Sequence, residues 1–86
     1  MSKTFSVSII TPEKQIYQGK AVSLVVPAAL GYLGVLADHD CLAANLVEGK
    51  IVVSEEAGNK VGFYSPGKGF LQVLKNKVTL LLEGVK

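Results

Sequence analysis

Residues 50–65 read KIVVSEEAGNKVGFYS. Polar and apolar side chains alternate on both sides of Ala57-Gly58-Asn59, and a Gly-Asn pair between two alternating runs is typical of a β-hairpin. Because successive side chains of a strand point to opposite faces, one face of each run can be buried while the other meets water. The stretch therefore predicts two antiparallel strands joined by a tight turn.

The same alternation continues toward both ends of the chain. Three more apolar sets recur at every second position: Phe5, Val7 and Ile9; Val22, Leu24 and Val26; Val78, Leu80 and Leu82. Turns are predicted at residues 11–14, 65–68 and 75–77, and the Pro66-Gly67 turn is expected to close a hairpin. Residues 70–74 are apolar on both faces, which is typical of a central strand. Short strands at this spacing favour a sandwich or barrel, and 86 residues suffice for a single domain spanning 1–86.

One segment allows a different reading. Leu42 and Leu46 lie four positions apart, Asp40 is a suitable N-cap and Gly49 a suitable end for a helical turn. The residues alone leave a helical turn and a strand open between positions 40 and 47.

Composition and charge exclude several classes of protein. The net charge is only +2 and the charges are scattered, which gives no footprint for a phosphate backbone. The single Cys41 cannot form an internal disulfide, so we expect a reducing compartment and a small buried side chain. Residues 21–37 carry no charge, but Pro27 and the β-branched residues before it predict a strand rather than a membrane span.

Three patterns imitate chemical sites. Residues 62–68 have the spacing Gly-x4-Gly-Lys, yet Gly69 follows where a P-loop needs Ser or Thr, and the next residues predict a strand rather than a helix. Asp38, His39, Asp40 and Cys41 stand in a row, but adjacent side chains of an extended chain diverge and cannot together ligate zinc. Like-charge repulsion from the same carboxylates would also disfavour a Cys41 thiolate and oppose its activation. We therefore expect no catalytic residues, no cofactor and no metal.

A series of spaced residues resembles a known family. It runs from Gly31-x-Leu33-Gly34 to His39, Leu42, Leu46, Gly49 and Gly58, and continues through residues 69–73 and 76–81. This series is similar to the epsilon subunit of F-type ATP synthases and covers essentially the whole chain. The resemblance implies a flattened sandwich of two mainly antiparallel five-stranded sheets, with residues 42–47 in a strand. Because the chain ends at Lys86, we expect neither the family's C-terminal helical hairpin nor its inhibition of ATP hydrolysis.

The resemblance implies mechanical rather than chemical work. The family's epsilon subunit is a non-catalytic part of the central stalk that binds the gamma subunit and contacts the c ring, coupling ion translocation to ATP synthesis or hydrolysis. It lies on the cytoplasmic face of an energy-coupling membrane, without a span of its own. The implied interface residues, interpreted as a contact loop, are Gly31, Tyr32, Leu33, Gly34, Asp38, His39 and Asp40. Family members often carry an acidic residue where this chain has Tyr32. A plainer interpretation is that Leu33 and Leu36 belong to the core and the glycines form a bend.

A small nucleic-acid-binding β-barrel is the alternative function. It is motivated by the slight basic excess and by three tyrosines that can stack on bases. It requires Lys68, Lys75 and Lys77 to flank exposed aromatic side chains.

Overall fold

The computed structural model describes residues 3–38 and 40–85. Within these ranges the regular secondary structure consists of β-strands, and no helix is formed. The described strands are β1 (Phe5–Ile10), β2 (Gln15–Ala28), β3 (Gly31–Leu36), β4 (Leu42–Leu46), β5 (Gly49–Glu55), β6 (Lys60–Ser65), β7 (Gly69–Leu74) and β8 (Lys77–Leu82). They form a body of 36 × 23 × 20 Å. The all-β prediction is confirmed.

The long strand β2 organises the topology. Its first half pairs antiparallel with β1, its middle with β5 and its last part with β3, while Ala28 pairs with Leu46 of β4. The order is β1-β8-β7-β4-β2-β5-β6, with β3 attached to β2 and β1 also paired to β2. β1 and β8 pair in parallel, which brings the first and last strands together. Since β2 joins all parts of this network, the count of two separate five-stranded sheets stays a prediction.

A bulge in β2 changes which side chains face inward. Leu24 and Val26 are fully buried, as predicted, but Val22 is only half-buried and Ala21 takes the inward position. The register against β5 shifts between Ala21 and Ser23, so that Val22 is an extra residue on β2. An extra residue reverses the phase of the alternation. The prediction of Val22 as an inward residue is therefore wrong.

The turns follow the sequence signals with one exception. The β5–β6 hairpin is closed by a bond from the Glu55 N–H to the Asn59 carbonyl of 2.8 Å, and Gly58 has a φ of 97° that favours glycine. The β7–β8 turn places Lys75 at a φ of 56°. Pro66 and Gly67, by contrast, do not close a hairpin, because β6 pairs with β5 whereas β7 pairs with β4 and β8. This turn carries the chain from one part of the sandwich to another.

The two ambiguous segments are strands. β4 pairs with β7 over its whole length, so the helical alternative for residues 40–47 is wrong. Packing against β7 outweighs the weak helical pattern. The uncharged residues 21–37 form the second half of β2, a turn and β3. Within the described ranges there is no helix of the length and hydropathy that a membrane crossing requires.

The core collects the inward side chains of these strands. All of the residues predicted at every second position of β1 and β8 are buried, and β7 contributes Leu71 and Val73 as a central strand between β4 and β8. The buried apolar side chains are Phe5, Val7, Ile9, Ala21, Leu24, Val26, Val35, Leu46, Ile51, Val53, Leu71, Val73, Val78, Leu80 and Leu82. Burying a Val, Leu, Ile or Phe side chain contributes about 1.5–3 kcal/mol. This core fixes the β2–β3 hairpin through Leu24, Val26 and Val35.

Candidate functional site

The structure divides the predicted interface residues into two groups. Gly31, Tyr32, Leu33 and Gly34 lie on β3, whereas Asp38 and Asp40 follow the far end of that strand. His39 lies outside the described residues. Six strand residues span about 20 Å, so the two groups stand at opposite ends of β3. The interpretation of residues 31–34 as a contact loop is wrong, because they form a paired strand.

The outward side of the β2–β3 hairpin is apolar and exposed. β3 alternates, with Val35 fully buried and Leu33 half-buried, while Tyr32 is 65% and Leu36 61% exposed. The interpretation of Leu36 as a core residue is therefore wrong, because it lies on the outward face of the strand. Leu30, in the turn before β3, is fully exposed. We call Val25, Leu30, Tyr32, Gly34 and Leu36 the hairpin patch; Val25 lies directly opposite Gly34 on β2. Among the described strands β3 pairs with β2 alone, and it carries neither a charge nor a proline, which are the usual protections of an edge strand.

The side chain of Tyr32 lies across the hairpin. Its hydroxyl accepts a hydrogen bond from the backbone N–H of Lys50 on β5, at 3.4 Å. Gly49 makes this placement possible, since a Cβ there would lie 2.6 Å from the Pro27 Cβ and 3.1 Å from the Tyr32 hydroxyl. Tyr32 is the direct cross-strand partner of Pro27, which is buried although it lies on an outward position. Tyr32 presents a fixed aromatic surface to the outside.

The two glycines of β3 have different physical roles. Gly31 has a φ of 126°, a conformation that strains any other residue, and it starts the strand after the turn. Gly34 has no such requirement, and nothing lies within 4 Å of the position that its Cβ would take. The fold therefore tolerates a side chain at Gly34. Because Gly34 has no side chain, the middle of the hairpin patch is flat.

An apolar groove opens beside the hairpin tip. It has a volume of about 400 Å³ and lies between the β2–β3 turn and β4. Ala28, Leu30, Leu33 and Tyr32 line one side, and Ala44 the other. Leu33 is therefore partly core and partly groove wall, which combines the two interpretations of this residue. The groove and the hairpin patch are continuous through Leu30 and Tyr32.

Asp38 is held by hydrogen bonds to residues from two other parts of the chain. Its carboxylate accepts hydrogen bonds from the Lys3 ammonium at 2.8 Å and from the Asn76 side-chain amide at 2.9 Å. Its backbone N–H donates to the Asn76 side-chain oxygen at 2.6 Å. The hydrogen bonds from Lys3 and Asn76 hold the pKa of the Asp38 carboxyl below its usual range. The hydrogen bond to Asp38 and the charge of its carboxylate in turn raise the pKa of Lys3. Asp40 is exposed two residues before β4.

Cys41 is exposed as a free thiol, so the expectation of a small buried side chain is wrong. It lies just before β4, outside the alternation that buries the inward residues of that strand. Its exposure follows from its place in the connection between two strands.

Residues 4–86 match the family model described as the beta-sandwich domain of the ATP synthase delta/epsilon chain. The chain belongs to this family. Two relatives named ATP synthase epsilon chain illustrate the likeness. The protein of Dichelobacter nodosus is 35% identical over 95% of this chain and 56% of its own length, and that of Leptospira borgpetersenii 38% identical over 91% and 60%. This chain thus spans a little more than half the length of these epsilon chains.

Solved structures of ATP synthases contain the same fold. A chain of the Euglena gracilis mitochondrial ATP synthase, in a structure of the OSCP, F1 and c-ring, superposes with a TM-score of 0.89 at 21% identity, over 96% of this chain and 52% of that one. A chain of the Tetrahymena thermophila mitochondrial ATP synthase central stalk and c-ring superposes with a TM-score of 0.77 at 15% identity, over 99% and 67%. At such identities the likeness shows the fold alone.

The arrangement of lysines and tyrosines does not form the groove that a nucleic-acid-binding barrel requires. Lys68 lies at one end of β7, whereas Lys75 and Lys77 lie at the other end, about 20 Å away. Tyr17 is tied by its hydroxyl to Glu55 at 2.5 Å, and packs edge-on against Phe63 with 5.7 Å between ring centroids. Its ring is therefore occupied within the fold.

Sequence reasoning missed the residues that hold Tyr32 and Asp38. Gly49 and Pro27 set the position of Tyr32, and Asn76 and Lys3 bind Asp38. The sequence marks Gly49 as a possible helix end and Asn76 as part of a turn, and neither signal predicts the contact that the structure shows. The others act across β-sheet pairing or between turns, which no local pattern reveals.

Proposed function

We propose that this chain is a non-catalytic rotor subunit of an F-type ATP synthase. It binds the gamma subunit in the central stalk and contacts the c ring, so that ion translocation is coupled to ATP synthesis or hydrolysis in other subunits. It is attached to the cytoplasmic face of an energy-coupling membrane through the complex. Membership of the delta/epsilon chain family supports this proposal.

The hairpin patch is the observation that carries the proposal. It joins large exposed apolar side chains, a flat glycine and an unprotected strand edge on one uncharged hairpin. Exposed apolar surface of this kind marks protein contacts, and an aromatic side chain already held in place loses little entropy on binding. An enzyme site would instead require converging polar groups.

We propose one partner for each end of β3. The tip, with Leu30 and Tyr32, contacts the c ring, and residues 38–40 contact the gamma subunit. The separation of about 20 Å between the ends supports two contacts rather than one. Since Tyr32 replaces the acidic residue common in the family, the ring contact depends on apolar and aromatic area instead of charge.

A charge at the tip tests the ring contact. Leu30 is fully exposed and contributes about 1.5–3 kcal/mol when a partner buries it. We expect Leu30→Asp to weaken binding to a purified c ring at least about tenfold, with an unchanged thermal midpoint. Leu81→Asp is the matched control, because Leu81 is 48% exposed on β8, away from the hairpin. Equal effects of the two variants, or none, would contradict the assignment.

Complex formation with gamma tests the proposed function as a whole. Mixing the chain with the gamma subunit from the same organism should give a stable one-to-one complex at micromolar concentration in size-exclusion chromatography. Two separate peaks would refute the rotor assignment. A control chain with Gly34→Ala should still bind if gamma meets only the far end of β3.

A further inference from the structure

Three separate parts of the chain meet at one side-chain cluster beyond the end of β3. Asp38 follows β3, Asn76 lies in the β7–β8 turn, and Lys3 precedes β1. Asp38 and Asn76 exchange two hydrogen bonds, of 2.6 and 2.9 Å, and Lys3 adds an ion pair of 2.8 Å. The residues that pair are 35 and 38 positions apart, so this cluster closes long loops of the chain.

The backbone of Asp38 needs such support. Its φ is 61°, in the left-handed region that is unfavourable for residues with a Cβ, although aspartate enters it more readily than most. The bond from its own N–H to Asn76 holds that conformation directly. Without it, the connection from β3 to β4 would relax toward ordinary backbone angles.

Asn76 is the fixed member of the cluster. Its backbone carbonyl accepts a hydrogen bond of 2.9 Å from the Ser6 N–H at the start of β1. Its side chain therefore extends from a turn that is anchored to a core strand. The Lys3 side chain, by contrast, is 79% exposed, and an exposed ion pair contributes little because water and salt screen it.

We propose that Asn76 is a positioning residue that clamps Asp38 and thereby sets the backbone conformation at Asp38, where the chain leaves β3. Asp38 is one of the residues 38–40 assigned above to the gamma contact. The clamp then presents Asp38 in an ordered conformation, so a partner that contacts Asp38 loses less conformational entropy on binding. That consequence for binding rests on the proposed function, whereas the clamp itself does not.

The charges around Asp38 support the geometry. Lys3 faces its carboxylate from the N-terminal segment, and Lys75 lies near enough in the β7–β8 turn to lower the pKa of Asp38 further. The carboxylate is therefore ionised at neutral pH and remains the acceptor for Asn76. The clamp is complete under ordinary solution conditions.

Amide hydrogen exchange by NMR tests the clamp without any partner. Asn76→Ala removes both bonds to Asp38, and we expect exchange at the Asp38 amide to accelerate about tenfold. Lys3→Ala and Asp38→Asn keep the Asn76 bonds and should change it less than about twofold. Asn59→Ala, in the β5–β6 turn, is the matched control and should leave it unchanged. An Asn76→Ala rate within twofold of the wild type, or an equal effect of Lys3→Ala, would overturn the proposal.

Titration with the gamma subunit separates this proposal from the rotor assignment. If the wild type binds and Asn76→Ala binds about tenfold more weakly at an unchanged thermal midpoint, the positioning role stands. If Asn76→Ala accelerates exchange but binds gamma like the wild type, the positioning role is refuted. If the wild type does not bind gamma, the rotor assignment fails, and the exchange rates alone still decide for or against the clamp.

Discussion

Replacing Gly49 by alanine tests the packing that holds Tyr32 on the hairpin. A Cβ at Gly49 would lie 2.6 Å from the Pro27 Cβ, 2.9 Å from its Cγ and 3.1 Å from the Tyr32 hydroxyl. The proline ring belongs to β2, which is paired with several strands, and cannot move away cheaply. The tyrosine can move, so the variant should displace its ring from Lys50.

The size of the effect follows from two opposing contributions. Overpacking by one methyl group at a rigid neighbour costs about 1–3 kcal/mol. Alanine loses less backbone entropy than glycine when the strand forms, which stabilises the folded state by about 0.5–1 kcal/mol. We expect Gly49→Ala to lower the free energy of unfolding by about 1–2 kcal/mol. Gly34→Ala has the second contribution alone, because nothing lies within 4 Å of its Cβ, and should not destabilise the fold.

Urea unfolding followed by circular dichroism measures both variants. A difference of about 2 kcal/mol between them corresponds to about 8–16 °C in the midpoint of thermal unfolding for a domain of this size. A Gly49→Ala variant as stable as Gly34→Ala would refute the packing argument. So would an unchanged Tyr32 ring spectrum in NMR, since it would show that the ring stays in place.

Three further predictions concern single side chains. Leu80→Ala should lower the free energy of unfolding in urea by about 2–5 kcal/mol, because Leu80 is fully buried. Leu81→Ala, at the exposed neighbouring position, should change it by less than about 1 kcal/mol. Equal losses in the two variants would contradict the described strand faces. Burial, followed by the hydrogen bond to Glu55, raises the pKa of Tyr17 to about 12, so its stabilisation is complete below pH 10 and is lost as the pH rises toward 12. Stability of Tyr17→Phe should therefore fall less steeply over that interval. Cys41 should react with a thiol reagent without denaturant, because its side chain is exposed; protection would show that the thiol is covered.

The strand faces could be predicted because burial imposes a period of two along each strand. Phe5, Val7 and Ile9 are inward as expected, and the glycine of the β5–β6 turn has the positive φ that its position requires. The prediction failed at Val22, where one extra residue in β2 changes the phase. Nothing in the local sequence distinguishes such a bulge from regular alternation, since it depends on the partner strand.

The residues of the candidate site are named by the resemblance, and their arrangement could not be predicted from the sequence. The resemblance implies that residues 31–34 belong to an interface, which stays a prediction, and the structure places Tyr32 outward there. That these residues form an edge strand depends on which strands pair with β2, and pairing is a property of the whole chain. The binding of Asp38 to Asn76 likewise joins two turns that no periodic pattern connects.

The parallel pairing of β1 with β8 has a consequence for synthesis of the protein. Residues 6–10 find their partners at residues 77–81, almost the full length of the chain away. Closing so long a loop costs chain entropy before the paired strands stabilise the fold, and this slows folding. While the ribosome is still making the last strand, one side of β1 stays without its neighbour, and the sandwich can close only after residue 82 has emerged.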